Sequence, residues 1–298
     1  MKSTFGRRVS VCSGQLARRN ARGVRLHFKI LGRILSAETV ATPVTGNWNI
    51  DTECCYWDNN QLQNNPFVNI IRIYFEYGSP KHETLAFEDF VPSRDLWDSP
   101  LAVPNYEPFA SVLKRASQWV QQQSVNFLSC QSIDVPLHNN WSTNDKQIES
   151  KNMFFEKPTN DFVLKFIRIA HIISKNVSQN EKTNLLLNCK IFVPSKSATT
   201  GEYEDCLTVK RKMETWLTTT GARILSAETT VIKLSYATSS VAAAVDSMFT
   251  SLSSGAVGSH WITIYRIYID GQYLEPPFRL LPPIVDLEAN DDSSCTLS

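Results

Sequence analysis

Three arginines of this sequence stand inside segments of β-branched and aromatic residues, where a charged side chain needs a partner. The segments are FVNIIRIYFEYG, FVLKFIRIAHII and HWITIYRIYIDG, and their arginines are Arg72, Arg168 and Arg266. An unpaired guanidinium in apolar surroundings is very costly, so each should meet a carboxylate or a carboxamide. Polar residues stand at matching upstream places, and they are Glu38, Gln131 and Glu228.

These residues could do one of two kinds of chemistry. The predicted cross-strand pairs are Glu38–Arg72, Gln131–Arg168 and Glu228–Arg266, the middle one being a neutral version of the other two. In each pair the polar residue could be a structural partner of its arginine. Alternatively, the arginines could bind an anion. Occurrence in triplicate favours the structural role, because a catalytic site is seldom built three times in one chain.

Motifs for other chemistry are absent from the sequence. There is no GxSxG, no HExxH, no Walker loop and no GxGxxG after a strand. The five histidines have no ligand spacing, and the seven cysteines include no CxxC, so neither a zinc site nor a disulfide framework is expected. We therefore predict no catalytic residue, no metal and no cofactor. A Cys–His nucleophile pair assembled by folding stays open as an alternative.

The last four residues, from Cys295 to Ser298, fit the C-a-a-X pattern for prenylation. Leu297 is the aliphatic residue, and Ser298 favours a farnesyl chain. The alternative is an unmodified, solvated cysteine. One prenyl chain holds a protein only weakly on a membrane, because stable anchoring takes two signals. The second signal could be the basic N-terminal segment.

A repeated heptapeptide shows how the chain positions these residues. RILSAET occurs at residues 33–39 and again at 223–229, and the first copy precedes Arg72 as the second precedes Arg266. Between them, VNFLSCQSIDVPL precedes Arg168 and places SCQS where the other two have SAET. Upstream of the second and third strands, apolar residues at helical spacing include Trp119 and Trp216. These elements, recurring in the same order and at similar spacing, predict a tandem repeat.

We expect the tryptophans to be core anchors of these helices. With side chains alternating along a strand, Leu35, Ala37 and Thr39 should share one face, and small residues there let a helix approach closely. Aromatic residues at helical spacing usually fill cores, although an aromatic platform for a ligand is the alternative interpretation.

The predicted fold class is α+β, a tandem repeat of a helix plus a three- to four-stranded antiparallel sheet. The predicted regions are a basic N-terminal arm (1–29), unit 1 without its helix (30–104), unit 2 (105–200), unit 3 (201–285) and a flexible acidic tail (286–298). Strands that are apolar on both faces need cover on both. We therefore expect sheets of neighbouring units to pack together.

The charges divide the chain into an acidic body and a cationic arm. Residues 1–33 hold nine Lys and Arg side chains and no acidic one, although the whole chain has a net charge of +1. This arm fits a mitochondrial transit peptide, a segment attracted to anionic membrane or nucleic acid, or a misassigned coding segment. Its two phenylalanines give no stacking pattern for nucleic acid. The 42% of hydrophobic residues, without an apolar run of 18, fit a cytoplasmic protein that could attach to a membrane surface.

Three functions are compatible with these features. The first is a non-catalytic repeat protein that binds other proteins as an interaction or scaffold module, favoured by the repeat and by the absence of catalytic motifs. The second is a binding module for a small apolar ligand, since a helix against a curved sheet often encloses a pocket. The third is an enzyme whose site is not visible in the sequence.

We predict that Cys295 is farnesylated in eukaryotic cells and that Cys295→Ser moves the protein from membranes to the soluble fraction. The reason is the loss of the lipid's buried methylenes, worth about 0.8 kcal/mol each. Mass spectrometry of the intact C-terminal peptide and membrane fractionation measure both effects. A free Ser298 with an unmodified Cys295, and identical fractionation of the mutant, would contradict the prediction.

Overall fold

The computed structural model describes residues 7–12, 18–19, 24–27, 32–44, 67–78, 84–94, 105–123, 125–136, 154–155, 162–173, 185–197, 200–235, 241–251 and 259–277. The fold is mixed α/β, with mostly antiparallel sheets and three helices in these residues. The helices are α1 (Phe109–Gln123), α2 (Cys206–Thr220) and α3 (Val241–Asp246).

Thirteen strands form three sheets in the described part of the chain. The first sheet has the order β1 (Arg7–Cys12), β5 (Phe67–Tyr77), β4 (Gly32–Pro43), with β8 (Phe154–Phe155) also on β5. The second has the order β12 (Phe249–Ser251), β9 (Phe162–Ile173), β6 (Thr84–Phe90), β3 (Val24–His27), β2 (Arg18–Arg19), with β7 (Asn126–Pro136) on the other edge of β9. The third has the order β10 (Leu187–Phe192), β13 (Ser259–Asp270), β11 (Arg223–Ser235).

Three long antiparallel pairs, β4–β5, β7–β9 and β11–β13, place the predicted arginines opposite the predicted polar residues. The Cα partners are Glu38 and Arg72, Gln131 and Arg168, and Glu228 and Arg266. The β-branched and aromatic composition of these segments suits half-buried or fully buried strands. The backbone register therefore puts each polar residue beside its arginine.

A β-bulge interrupts the first strand of each pair at the same place. The register shifts between Ile34 and Ser36, between Phe127 and Ser129, and between Ile224 and Ser226. A bulge adds an unpaired residue and changes the side-chain alternation. Leu35 is consequently 47% exposed, whereas Ala37 is buried. The prediction that Leu35 shares the packed face with Ala37 and Thr39 is wrong for this reason.

The remaining strands do not stay with the segment that precedes them in the chain. β6 pairs with β9 and β10 pairs with β13, so each joins the sheet of the following long pair. The equivalent edge of β5 is taken by β1, with Ser10 opposite Arg72. The expectation that each unit holds a self-contained sheet is therefore wrong. An edge strand can bind only one neighbour, and β1 already occupies the edge of β5 that β6 would need.

Parts of the segment predicted as a basic arm at 1–29 lie in strands. β1 pairs with β5, and β3 pairs with β6 in a register that sets Leu26 opposite Leu85. The backbone hydrogen bonds of these segments are thus made within the first two sheets. The predicted acidic tail at 286–298, with Cys295, lies outside the described residues.

Helices α1 and α2 each carry one of the predicted tryptophans onto a sheet. Trp119 meets Phe90 at a ring distance of 5.8 Å, and Trp216 meets Phe192 at 5.9 Å, both edge to face. Asp205 caps α2 by accepting a 2.7 Å hydrogen bond from the Thr208 backbone N–H. Such caps satisfy one of the free donors at a helix start. Asp246 does the same for α1 from outside the helix, at 2.8 Å from the Ala110 nitrogen.

The cores lie between the sheets and under the helices. Ile71 and Ile73 of the first sheet pack against Leu85 and Phe87 of the second, so two sheets meet face to face. The other face of the second sheet packs against α1 and against Tyr268 of the third sheet. Each fully buried aliphatic or aromatic side chain contributes about 1.5–3 kcal/mol. The first sheet is thus covered by the second sheet, whereas the second and third sheets are covered by the helices α1 and α2.

In the described part of the chain, no helix has the length and apolar character needed to cross a membrane.

Gly32 begins β4 with a backbone conformation that only glycine adopts easily, and it provides a test of the β4–β5 register. Its φ is 144°, and a Cβ there would overlap the Glu76 carbonyl oxygen. We predict that Gly32→Ala lowers the free energy of unfolding by about 2 kcal/mol or more, through strain and this overlap. Chemical denaturation measures the change.

The matched control is Gly78→Ala, because a Cβ on Gly78 meets no atom within 4 Å. This substitution should change stability by less than about 0.5 kcal/mol. Equal effects of the two substitutions would mean that β4 does not begin against β5 in the described register.

Candidate functional site

The guanidinium of Arg266 is the most deeply buried charge of the described residues, with a side-chain exposure of 0%. Its Nη1 donates to Glu228 Oε1 at 3.3 Å and to Ser132 Oγ at 2.9 Å. Nη2 donates to the Val245 carbonyl oxygen at 3.1 Å, and the Phe109 ring lies 4.0 Å from the guanidinium carbon. The charge is therefore met by a carboxylate, a hydroxyl, a carbonyl and an aromatic face.

The Arg72 site repeats the central part of this arrangement. Arg72 Nη1 lies 3.5 Å from Glu38 Oε1, and the Tyr74 hydroxyl donates to the same oxygen at 2.7 Å. In the third sheet, Tyr268 donates to Glu228 Oε1 at 3.0 Å. An arginine and the tyrosine two residues later thus hold one carboxylate in both places.

Arg168 takes a carboxylate from a different strand than predicted. Its Nε and Nη2 donate to the two oxygens of Asp89 on β6, at 2.7 and 2.9 Å, and Nη1 donates to Thr39 Oγ1 at 3.1 Å. The prediction that Gln131 is the partner is corrected here. The bidentate geometry of a carboxylate is the stronger interaction, and β6 brings one directly opposite Arg168.

Gln131 uses its carboxamide to bind the backbone of β4. Its Oε1 accepts from the Thr39 nitrogen at 2.8 Å, and its Nε2 donates to the Thr39 carbonyl oxygen at 2.6 Å. Two residues earlier, the Ser129 hydroxyl donates to the Ala37 carbonyl oxygen at 2.5 Å. Side chains of β7 therefore satisfy the edge of β4 that faces away from β5.

The side chains of β11 bind the backbone of β7 in a similar way. Ser226 Oγ accepts from the Cys130 nitrogen at 3.0 Å and donates to the Cys130 carbonyl oxygen at 3.1 Å. Glu228 accepts from the Ser132 nitrogen at 2.6 Å and from its hydroxyl at 2.8 Å. Side chains of β11 thus satisfy the outer edge of β7. We call this series of contacts, from β11 to β7 and from β7 to β4, the side-chain ladder.

Both ends of the side-chain ladder are open among the described residues. At the first end, Ser36 and Glu38 reach no strand beyond their own sheet, and Glu38 is 34% exposed where Glu228 is 7% exposed. At the other end, no described residue binds the outer edge of β11 at Ala227 and Thr229, and both residues are exposed. The two positions correspond to Cys130 and Ser132 of β7.

The two open ends line one groove. It has a volume of about 770 Å³, and its walls are residues 35–41 of β4 and 225–231 of β11, with β7 residues 128–134 between them. The charged side chains Glu38, Arg72, Asp134 and Glu228 line it. The groove therefore offers one open backbone edge, that of β11, together with fixed charges.

The buried thiols of Cys130 and Cys189 are poorly suited to nucleophilic chemistry. Burial raises the pKa of the Cys130 thiol well above its usual range and that of Cys189 to about 12. A thiol must ionise to attack, so both groups are inert at neutral pH. Burial also raises the pKa of the neighbouring Tyr268 phenol. His171, on the neighbouring strand β9, packs edge to face on Trp119 with the ring centroids 5.3 Å apart.

No group of three or more His, Cys, Asp or Glu residues suited to a metal ion occurs in the parts of the chain described above. No family model, curated protein or solved structure matches the chain.

The sequence does not predict several of the site residues. It gives no sign that Asp89 is the partner of Arg168, because the pairing of β6 with the second sheet has no local signal. Ser132 is predicted only as part of a strand, and its bond to Arg266 is not predicted. Tyr74 and Tyr268 could have been found, because both stand two residues after a predicted arginine.

We predict that Arg266→Met lowers the free energy of unfolding by about 2–4 kcal/mol, because it leaves the carboxylate of Glu228 buried without its cation. Adding Glu228→Gln should recover part of that loss, since a neutral carboxamide needs no cation. Chemical denaturation of the single and double variants measures both effects.

The matched control is Arg223→Met, since the Arg223 side chain is 70% exposed beside Asp270. An exposed ion pair contributes at most about 1 kcal/mol. If Arg266→Met and Arg223→Met unfold alike, the buried pair does not support the third sheet.

Proposed function

We propose that this chain is a tandem repeat of three units and serves as a non-catalytic interaction or scaffold module for other proteins. The units are those predicted from the sequence, at 30–104, 105–200 and 201–285. Three observations support the repeat. They are the common register of polar residue and arginine, the common position of the bulge, and the equal packing of Trp119 on Phe90 and Trp216 on Phe192.

The observation that carries the interaction function is the groove, because its β11 wall has an open backbone edge and its β4 wall presents the side chains of Ser36 and Glu38. Unpaired edges of strands are templates for another chain, and many recognition domains bind an extended peptide by adding it as a strand. Main-chain hydrogen bonds then provide affinity, and side-chain contacts provide specificity. The open edge of β11, facing polar side chains of β4 across one groove, suits this mode of binding.

The chemistry of the described residues supports a non-catalytic role over an enzyme. The buried thiols are held protonated, and the arginines are engaged by structural carboxylates and hydroxyls. The alternative of a small apolar ligand has less support, because such a ligand would give no hydrogen-bond partner to the carboxylate of Glu38 or to the open backbone edge of β11.

Attachment to a membrane surface is a further part of the proposal. It rests on the prenylation pattern at Cys295 and on the basic residues near the N-terminus. A lipid at the C-terminus would bring the groove to a cytoplasmic membrane surface.

Affinity capture of the tagged full chain from its native cells, followed by mass spectrometry, tests the interaction function. We expect a protein that binds the purified chain directly and saturably, with about 1 μM affinity or tighter. The tag alone is the control for background. Capture of a small apolar molecule, with no protein that binds the purified chain, would contradict the proposal and favour the alternative.

A further inference from the structure

We propose that the groove binds an extended segment of a partner protein that carries Ser or Thr and, two residues later, Glu or Gln. This inference rests on the proposed interaction function and names the chemistry of the bound segment. Both steps of the side-chain ladder within the chain use such a pair, Ser129 with Gln131 and Ser226 with Glu228. The open ends need one further strand of the same kind.

The wall formed by β4 presents two side chains to the backbone of the incoming segment. Ser36 stands where Ser129 and Ser226 stand in the other units, and Glu38 stands where Gln131 and Glu228 stand. Arg72 and Tyr74 already hold one oxygen of Glu38, as Arg266 and Tyr268 hold Glu228. The carboxylate is therefore oriented before anything binds, which lowers the entropic cost of binding.

The wall formed by β11 presents backbone groups to the side chains of the incoming segment. Cys130 and Ser132 of β7 turn their nitrogens outward to Ser226 and Glu228. Ala227 and Thr229 occupy the same places on β11, and the register of β11 on β13 follows that of β7 on β9. A hydroxyl and a carboxylate or carboxamide two residues apart would fit these groups as they fit β7.

The length of the groove sets the length of the segment. Residues 35–41 form one wall and residues 225–231 form the other, which is seven residues on each side. A strand rises about 3.3 Å per residue, so the walls span about 20 Å. An extended segment of about seven residues matches them.

A folded second copy of this chain does not supply such a strand. On β4, the side chains of Ser36 and Glu38 reach no described strand outside their own sheet, but the backbone at Ala37 and Thr39 is bound by β7. On β11, the backbone edge is free, but Ser226 and Glu228 are bound to β7. A single strand that fills the groove must use its side chains on β11 and its outer backbone on β4 at once. A second copy would need two different strands, β4 and β11, for these contacts. A segment outside any sheet, from a partner protein, meets this requirement.

The test uses a fluorescent peptide with the sequence GARILSAETT, which is that of residues 221–230, added to the full chain. Fluorescence anisotropy measures the affinity. The control peptide is GARILAAAAT, in which Ala replaces the Ser, the Glu and the Thr that follows the Glu. It keeps the length and the apolar residues. We expect saturable binding of the first peptide and binding at least about 10-fold weaker for the second, because hydrogen bonds to charged groups are lost.

Two protein variants locate the peptide at the open edge of β11. Thr229→Pro removes the outward backbone N–H, and proline is tolerated on an edge strand when its nitrogen faces away from the sheet. It should weaken binding about 10-fold or more, whereas Thr229→Ala keeps the N–H and should bind within about threefold of the parent. Ser36→Ala tests the β4 wall. It removes the Ser36 hydroxyl without altering any backbone group, and it should also weaken binding of the peptide.

Equal affinities of the two peptides, equal affinities of the Thr229→Pro and Thr229→Ala chains, or no saturable binding up to about 1 mM peptide would overturn the assignment. A concentration-dependent oligomer that Thr229→Pro dissociates would overturn it too, in favour of a second copy. A captured protein that binds Thr229→Pro and Ser36→Ala as well as the parent overturns only this inference. The interaction function itself fails only if no protein binds the purified chain.

Discussion

A strand at the end of a sheet has one edge of N–H and C=O groups that no neighbouring backbone satisfies. In the described part of this chain, β4, β7 and β11 are such strands and lie side by side. Ser129 and Gln131 cover the edge of β4, and Ser226 and Glu228 cover the edge of β7. A buried polar group without a partner costs about 1–3 kcal/mol, so these contacts decide where the strands can lie. The arrangement of the three sheets follows from satisfying those edges.

Burial of the arginines is coupled to the same contacts. Glu228 binds Arg266 through one oxygen and the Ser132 backbone through the other, so the ion pair and the contact between strands use a single carboxylate. Thr39 acts similarly, because its backbone binds Gln131 and its hydroxyl accepts from Arg168. Groups that share partners in this way have non-additive effects on stability. Packing between the sheets should therefore be lost cooperatively.

The sequence predicts the local structure well and the neighbours poorly. RILSAET at two places, with an arginine in a later apolar segment, is sufficient to place Glu38 opposite Arg72 and Glu228 opposite Arg266. It cannot show that β6 leaves for the second sheet and brings Asp89 to Arg168, since a strand's pattern does not name its neighbour. The bulge that exposes Leu35 is equally hidden, because alternation is the only sequence signal. The open ends of the side-chain ladder can be recognised only from the hydrogen bonds of the folded chain, because no sequence pattern shows which strand edges lie together.

Amide hydrogen exchange at three equivalent positions tests most directly whether side chains close these edges. The N–H of Thr39 is bound by Gln131 and that of Ser132 by Glu228, whereas the N–H of Thr229 meets no described residue. Exchange measured by NMR should be slower at Thr39 and Ser132 than at Thr229 by about 100-fold or more, because bonded amides exchange only after local opening. Protection of Thr229 equal to that of Ser132, or exchange of Ser132 as fast as that of Thr229, would contradict an open-ended side-chain ladder.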